Sequence, residues 1–378
     1  MKLGIDNIDN YLHLFAGKRV GLITNPTGIN KEGRSTIDVL NEKVNLVALF
    51  SPEHGVRGNL QAGIRFDSYV DEETGIIVHS LYTKDKKPSK EMLDEIDVLC
   101  IDIQDGGSRF YTYTYTMAYA MMACAEHNKE CVVFDRPNPI NGVSVEGNIL
   151  DIEYRSFVGY YPVVQRHGMT ICELAKIYNE EFGINCKLEI IPMTGWDRNK
   201  YYDELDLMWV LPSPNYPTIN TGVVYNGTCI FEGTNVSEGR GTTTPFEIVG
   251  APYVNPKAFA KKLNDLKLGG VYFREQYFTP TFSKHANQLC GGVQLHITDR
   301  NKFQPVHVGW AMLDVVRHMY PNEFQVLNPY KEGGKRMLQF NTGCNYIYED
   351  LYTLEEQFAI LDKETEEFKK TREKYLIY

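Results

Sequence analysis

Residues 51–58 read Ser-Pro-Glu-His-Gly-Val-Arg-Gly and follow at once on the apolar run 44–50, so Glu53, His54 and Arg57 stand where a buried strand should surface. An open α/β sheet binds its ligands at such carboxyl ends of strands. The pattern recurs. The run Val98-Leu-Cys-Ile-Asp-Ile103 leads into Gln104-Asp105-Gly-Gly-Ser-Arg109, and Cys131-Val-Val-Phe134 leads into Asp135-Arg136-Pro137-Asn138-Pro139. Three strand ends, each carrying an acid and an arginine, predict one site.

Glu53 is the sharpest candidate. A carboxyl beside a proline and near a glycine at a strand end can be held in a partly desolvated cleft and raised into general-acid range; the plain alternative is a solvated loop glutamate. Asp102 and Asp105 read as acids that hold the Arg109 guanidinium, or, for Asp105 before Gly-Gly, as an Asx-type turn residue. Asp135 and Arg136 read as ligand contacts or as a structural ion pair, in a loop stiffened by the prolines around Asn138. Glu146, in Asn141-Gly-Val-Ser-Val-Glu-Gly147, is the natural second carboxylate, because its glycines let backbone approach a ligand closely. His167 is a loop histidine open to a hydrogen-bonding or a catalytic role. Glu173, three residues after Thr170, completes a capping box and reads as a cap. The loop 231–243 gathers two acids, one arginine and three glycines with hydroxyl and amide side chains. Asn235, Glu238 and Arg240 within it suit the reading of a sugar or carboxylate by hydrogen bonds.

Arg57, Arg109, Arg136, Arg166 and Arg240 all fall in these loops, although the chain carries a formal net charge of −10. Cations concentrated in the loops of an anionic protein predict an anionic small ligand, since a guanidinium pairs a carboxylate bidentately. Tyr111, Tyr113 and Tyr216 offer aromatic surface of the kind sugars stack on. A carboxylate-bearing sugar fits both. The acidic balance argues against nucleic acid or an anionic membrane as partner. The turn after the first strand, Ile23-Thr-Asn-Pro-Thr-Gly-Ile29, lacks a glycine-rich phosphate fingerprint. His-Glu-x-x-His, Gly-x-Ser-x-Gly and paired Cys-x-x-Cys ligands do not occur, so zinc and serine-triad chemistry lack their local signatures. No cofactor and no metal is expected. A hydrolase using Mg²⁺ on Asp102, Asp105, Asp135 and a histidine is disfavoured by the interleaved arginines, which would repel the ion.

At 378 residues, 43% hydrophobic and 23% charged, the chain has room for two domains. Strands are expected at 19–24, 45–50, 75–81, 98–103, 130–134 and 187–192, with helices at 35–41, 89–95, 117–127 and 170–182 between them. This alternation predicts an α/β, Rossmann-like, doubly wound and mostly parallel sheet. The stretch Tyr111-Thr-Tyr-Thr-Tyr-Thr116 alternates like a strand and is read as the lead-in to the helix that follows. A proline-rich connection at 197–217 leads to a smaller α+β domain. That domain is expected to hold strands near 228–231, 271–273 and 292–297, with helices at 256–266, 305–319 and 354–374. The division is therefore 1–225 for the catalytic domain and 226–378 for an auxiliary domain closing the cleft. The eight cysteines lack paired spacing and read as buried free thiols. The amino terminus has no apolar export segment, so a cytoplasmic protein is expected, or a secreted or periplasmic one if a signal has been removed.

Five ordered motifs then combine: Ser-Pro-Glu-His-Gly, Asp-Ile-Gln-Asp-x-Gly-x-Arg-x-Tyr-Thr-Tyr, Asp-Arg-Pro-Asn-Pro-x-x-Gly, Arg-His-Gly-Met-Thr and Phe-Glu-Gly-Thr-Asn-x-Ser-x-Gly-Arg-Gly-Thr. From about Gly17 onward the chain resembles the NamZ-type exo-β-N-acetylmuramidases. The resemblance implies an exo-acting glycosidase that releases non-reducing terminal N-acetylmuramic acid from peptidoglycan fragments, with a cleft between two domains and Glu53 as the catalytic acid. The alternative is a non-catalytic muropeptide or carboxylated-sugar binder using the same loops. Retaining hydrolysis would need carboxyl groups about 5 Å apart and inverting hydrolysis about 6.5–9.5 Å. Arg109, Arg136 or Arg240 would hold the lactyl carboxylate.

Overall fold

The computed structural model describes residues 1–52, 55–58, 68–81 and 86–378. The elements run β1 (Val20–Thr24), α1 (Thr36–Lys43), β2 (Leu46–Ser51), β3 (Ser68–Val70), β4 (Ile77–Ser80), α2 (Lys90–Asp94), β5 (Val98–Asp102), α3 (Tyr113–Glu126), β6 (Glu130–Phe134), α4 (Ile171–Glu180) and β7 (Lys187–Ile191). The second half adds α5 (Ile219–Thr228), β8 (Ile248–Ala251), α6 (Pro256–Asp265), β9 (Val271–Phe278), β10 (Cys290–Ile297), α7 (Pro305–Met319), α8 (Met337–Thr342), α9 (Tyr346–Glu349) and α10 (Leu354–Glu373).

The apolar runs of β1, β2, β5 and β6 become strands buried on both faces, as parallel pairing inside a sheet requires. The sheet order is β3-β4-β2-β1-β5-β6-β7, parallel throughout except for β3, which runs antiparallel to β4. This is the doubly wound sheet expected. Register aligns the strand ends: Phe50 pairs Ile23, Thr24 pairs Asp102 and Ile101 pairs Val133. The loops after β1, β2, β5 and β6 therefore leave along one edge. The chain reverses direction across the sheet between β1 and β5, the switch point where such sheets open a crevice. One apolar cluster packs α3 and α4 on one face, and a second packs α1 and the amino-terminal segment on the other.

The Tyr-Thr alternation is the beginning of α3 itself, which starts at Tyr113 with Thr112 as cap. Thr170 and Glu173 form the expected capping box of α4. In the second half, the strand expected at 228–231 is corrected: α5 runs to Thr228, and residues Cys229–Gly233 make a 3-10 turn. A short apolar run does not distinguish strand from buried helix end. Gly222 and Gly227 further disguise α5, since glycine inside a helix reads as a breaker. Packing explains both. A side chain at Gly222 would strike the Tyr216 hydroxyl, and one at Gly227 or Gly309 would strike the backbone of the facing helix where α5 crosses α7. A strand the sequence pattern did not show, β8, pairs with β10, and β9 forms the other edge of this antiparallel sheet.

The carboxy-terminal helix returns to the first half. Thr365 Oγ1 accepts from Gly147 N at 3.0 Å, Glu364 from Ile149 N at 2.7 Å, and Arg372 donates to the Gly142 carbonyl at 3.0 Å. All eight cysteines are free and buried. Among the described residues no helix is long and apolar enough to cross a membrane.

The α5–α7 crossing leaves no room for a methyl group. Gly309→Ala is expected to lower stability by about 1–3 kcal/mol through overpacking, read from the urea midpoint, with no strain from φ to confound it.

Candidate active site

A cleft of about 200 Å³ opens where the two halves meet. Its first wall is the start of α3, where Tyr111 and Tyr113 stand edge to face with ring centroids 5.1 Å apart. Its second wall comes from the proline-rich connection and α5: Tyr216 lies 5.8 Å from Tyr111, and Tyr225 lies 6.2 Å from it. The last stretch of the connection is pinned at two points, because Tyr113 Oη donates to the Pro212 carbonyl and Tyr216 Oη to the Gly106 carbonyl, each at 2.9 Å. Gly106 must be small. A Cβ there would come within 2.7 Å of the Tyr111 ring. Expected aromatic positions Tyr111, Tyr113 and Tyr216 thus meet in one cleft, together with Tyr225 and Phe246, which lie beyond the reach of the sequence motifs.

The cleft carries one acid and one base among its described lining residues, Glu232 and Arg240, which form an ion pair. Behind them Glu238 is buried, 2.6 Å from Lys284 Nζ and 3.4 Å from Arg240 Nε. Lys284 also donates to the carbonyls of Phe231, Thr234 and Val236, which fixes the loop. Burial raises the Glu232 carboxyl above its ordinary range, against the opposing pull of Arg240. Glu232 follows an apolar run just as Glu53 does, a parallel that the strand expected at 228–231 would itself have marked.

Glu53 and His54 lie outside the described residues. Pro52, immediately before them, lines a small hollow with Thr112, Tyr113, Thr116 and Phe157, and Thr112 and Tyr113 also line the main cleft.

The remaining candidates have other engagements. Arg57 is a tie between Asp71, at 2.7 Å, and Asp38 and Glu73. Arg136 pairs Asp102 bidentately with both groups buried, so the structural ion pair of this loop joins Arg136 to Asp102 rather than to Asp135. Asp135 accepts from Arg136 N, Cys172 N, Thr170 Oγ1 and Tyr378 Oη, and burial pushes its carboxyl up to about 7. Asp105 accepts from Gly107 N at 2.8 Å as an Asx turn and lies 3.4 Å from His167 Nε2, while His167 Nδ1 accepts from Met169 N. Asn138 accepts from Ile140 N and donates to the Met169 carbonyl, bracing the same turn. Asn235 holds Tyr253, Glu323 and Gln325 together away from the cleft lining. Arg109 is buried and donates to four carbonyls, those of Asn148, Val163, Asn341 and Thr342. Glu146 accepts from His307 N and lies 2.7 Å from His307 Nδ1, at the amino end of α7. Neither Arg109 nor Glu146 lines the cleft.

The family described as exo-β-N-acetylmuramidase NamZ, N-terminal, matches residues 20–220, and its C-terminal counterpart matches residues 223–378. A relative named peptidoglycan β-N-acetylmuramidase NamZ, from Bacillus subtilis strain 168, is 48% identical over 381 residues, covering 100% of this chain and 91% of that protein. Two crystal structures of DUF1343 family proteins from Bacteroides fragilis superpose over 100% of this chain and 98% of each of theirs. One has a TM-score of 0.90 at 37% identity and the other 0.78 at 32%.

Two ties across the halves can be tested apart from catalysis. Arg109→Ala would strand four buried carbonyls, so a loss of more than about 3 kcal/mol in urea unfolding is expected; a residue that read substrate would instead raise KM at unchanged stability. For His307, burial opposes protonation, but Glu146 and Asp362 outweigh it and raise the imidazole above its usual value. A raised folded value gives stability that is complete below about pH 6.5 and lost as pH rises through it. The urea midpoint of the wild type should therefore fall on alkalinisation above that pH, more steeply than that of His307→Gln.

Proposed function

This chain belongs to the exo-β-N-acetylmuramidase NamZ family, and from that premise we propose that it is an exo-acting glycosidase that releases non-reducing terminal N-acetylmuramic acid from small peptidoglycan fragments. The observation that carries this reading is the cleft between the two family regions, walled by tyrosines and holding a guanidinium. Sugar rings present C–H faces that pack on aromatic rings, and lactyl-bearing muramic acid adds a carboxylate. Arg240 is partly exposed in that cleft and has the donor fork to read such a carboxylate. Arg136 and Arg109, spent on Asp102 and on backbone carbonyls, have no comparable face to offer.

Glu53 is assigned as the acid that protonates the leaving glycosidic oxygen. It holds the glutamate of the Ser-Pro-Glu-His-Gly motif, and the neighbouring Pro52 lies against the tyrosine wall. Incubation with the disaccharide MurNAc-GlcNAc should release free N-acetylmuramic acid, and Glu53→Gln should lower turnover by about 10²–10⁴-fold while leaving binding measurable by calorimetry. Tight binding without released sugar from the wild type would make the protein a binder instead.

A further inference from the structure

We propose that Glu232 is the general base of this hydrolysis, taking a proton from the water that attacks the anomeric carbon. The proposal rests on the glycosidase reading above. Hydrolysis of a glycosidic bond through an oxocarbenium-like transition state generally uses two carboxyl groups on opposite sides of the scissile bond. Among the described residues lining the cleft, Glu232 is the only carboxylate. It projects from the 3-10 turn Cys229–Gly233, on the side of the cleft formed by the second half, across from the wall made by Tyr111 and Tyr113.

The surroundings of Glu232 are built at a conformational cost. Phe246 has φ 64°, a left-handed conformation that a bulky side chain seldom adopts. Such strain persists only where the surrounding structure over-determines it, and it concentrates at functional sites. Here it places the Phe246 ring 4.7 Å from that of Tyr225 and 5.3 Å from the Arg240 guanidinium, which in turn pairs Glu232. Lys284, 2.6 Å from Glu238, supplies that second acid with a cation of its own, and Arg240 reaches Glu232 through a terminal nitrogen while its Nε lies 3.4 Å from Glu238.

The step balances. An O–H bond of water breaks and its proton goes to the Glu232 carboxylate. The water oxygen bonds the anomeric carbon, the glycosidic C–O bond breaks, and the leaving oxygen takes the proton assigned above to Glu53. A single displacement of this kind inverts configuration, so a β-linked substrate gives the α anomer first.

Proton NMR during wild-type hydrolysis of MurNAc-GlcNAc reads that anomer without any substitution. Initial α-N-acetylmuramic acid is expected, and initial β anomer would overturn the proposal. Glu232→Gln should lose about 10²–10⁴-fold in turnover both on the disaccharide and on an aryl β-glycoside of N-acetylmuramic acid. Glu53→Gln should be spared on the aryl substrate, whose leaving group needs little protonation. Azide added to Glu232→Ala should restore turnover and yield the α-glycosyl azide. A Glu232→Gln enzyme within tenfold of wild type would also overturn the proposal, whereas a wild-type protein inactive on both substrates would overturn the glycosidase reading instead.

Discussion

Four carbonyl oxygens converge on one buried guanidinium, that of Arg109, and the meeting of the two halves depends on it. Two of the carbonyls, those of Asn148 and Val163, belong to the long loop after β6; the other two, of Asn341 and Thr342, end α8 in the second half. The last carbonyls of a helix have no partners within it and carry partial negative charge, so a cation there satisfies both needs at once. Among the described residues no carboxylate pairs the guanidinium, and burial pushes its proton affinity down to about 10, which still leaves it charged at neutral pH. Gly343 closes the arrangement, because a side chain there would press on both Arg109 and Leu150. Arg109 immediately precedes Phe110 and Tyr111, so the residue that ties the halves together also sets the first wall of the cleft.

The same logic runs along the rest of the sheet edge. Asp102 ends β5 and Asp135 follows β6, both with their side chains fully buried, and a buried carboxylate is tolerated only with charge or several hydrogen bonds supplied to it. Arg136 serves Asp102; hydroxyls and amides of α4, with the terminal Tyr378, serve Asp135. Residues that look like a catalytic constellation in one dimension are thus largely the framework that lets charged strand ends exist inside a folded protein. What lines the cleft is the layer above: the tyrosines, and the Glu232–Arg240 pair that the second half brings across.

Much of the fold was legible in the sequence because parallel strands buried on both faces leave unbroken apolar runs, and because α4, α6, α7 and α10 announce themselves by caps and periodicity. The exceptions included the short elements β3, β8, α8 and α9 and, most tellingly, α5. Its Gly222 and Gly227 answer to Tyr216 and α7, contacts invisible in local pattern. The cleft was partly legible: Tyr111, Tyr113, Tyr216 and Arg240 were picked out by type and by loop position, and all four line it. Counting arginines predicted an anionic ligand, but the count could not say which were already engaged by buried aspartates or carbonyls.

Sequence alone therefore determined the sheet, the loaded loops at its edge and, through ordered motifs, the family, since each is encoded by residues close together in the chain. Only tertiary structure decided which of those loops meet. Glu146 and Arg109 were drawn into ties between halves by partners about 160 and 230 residues away. Glu232 was brought to the tyrosine wall by the packing of α5 on α7. Burial and pairing depend on such distant neighbours, and they determine whether a carboxylate or a guanidinium holds the protein together or faces its substrate.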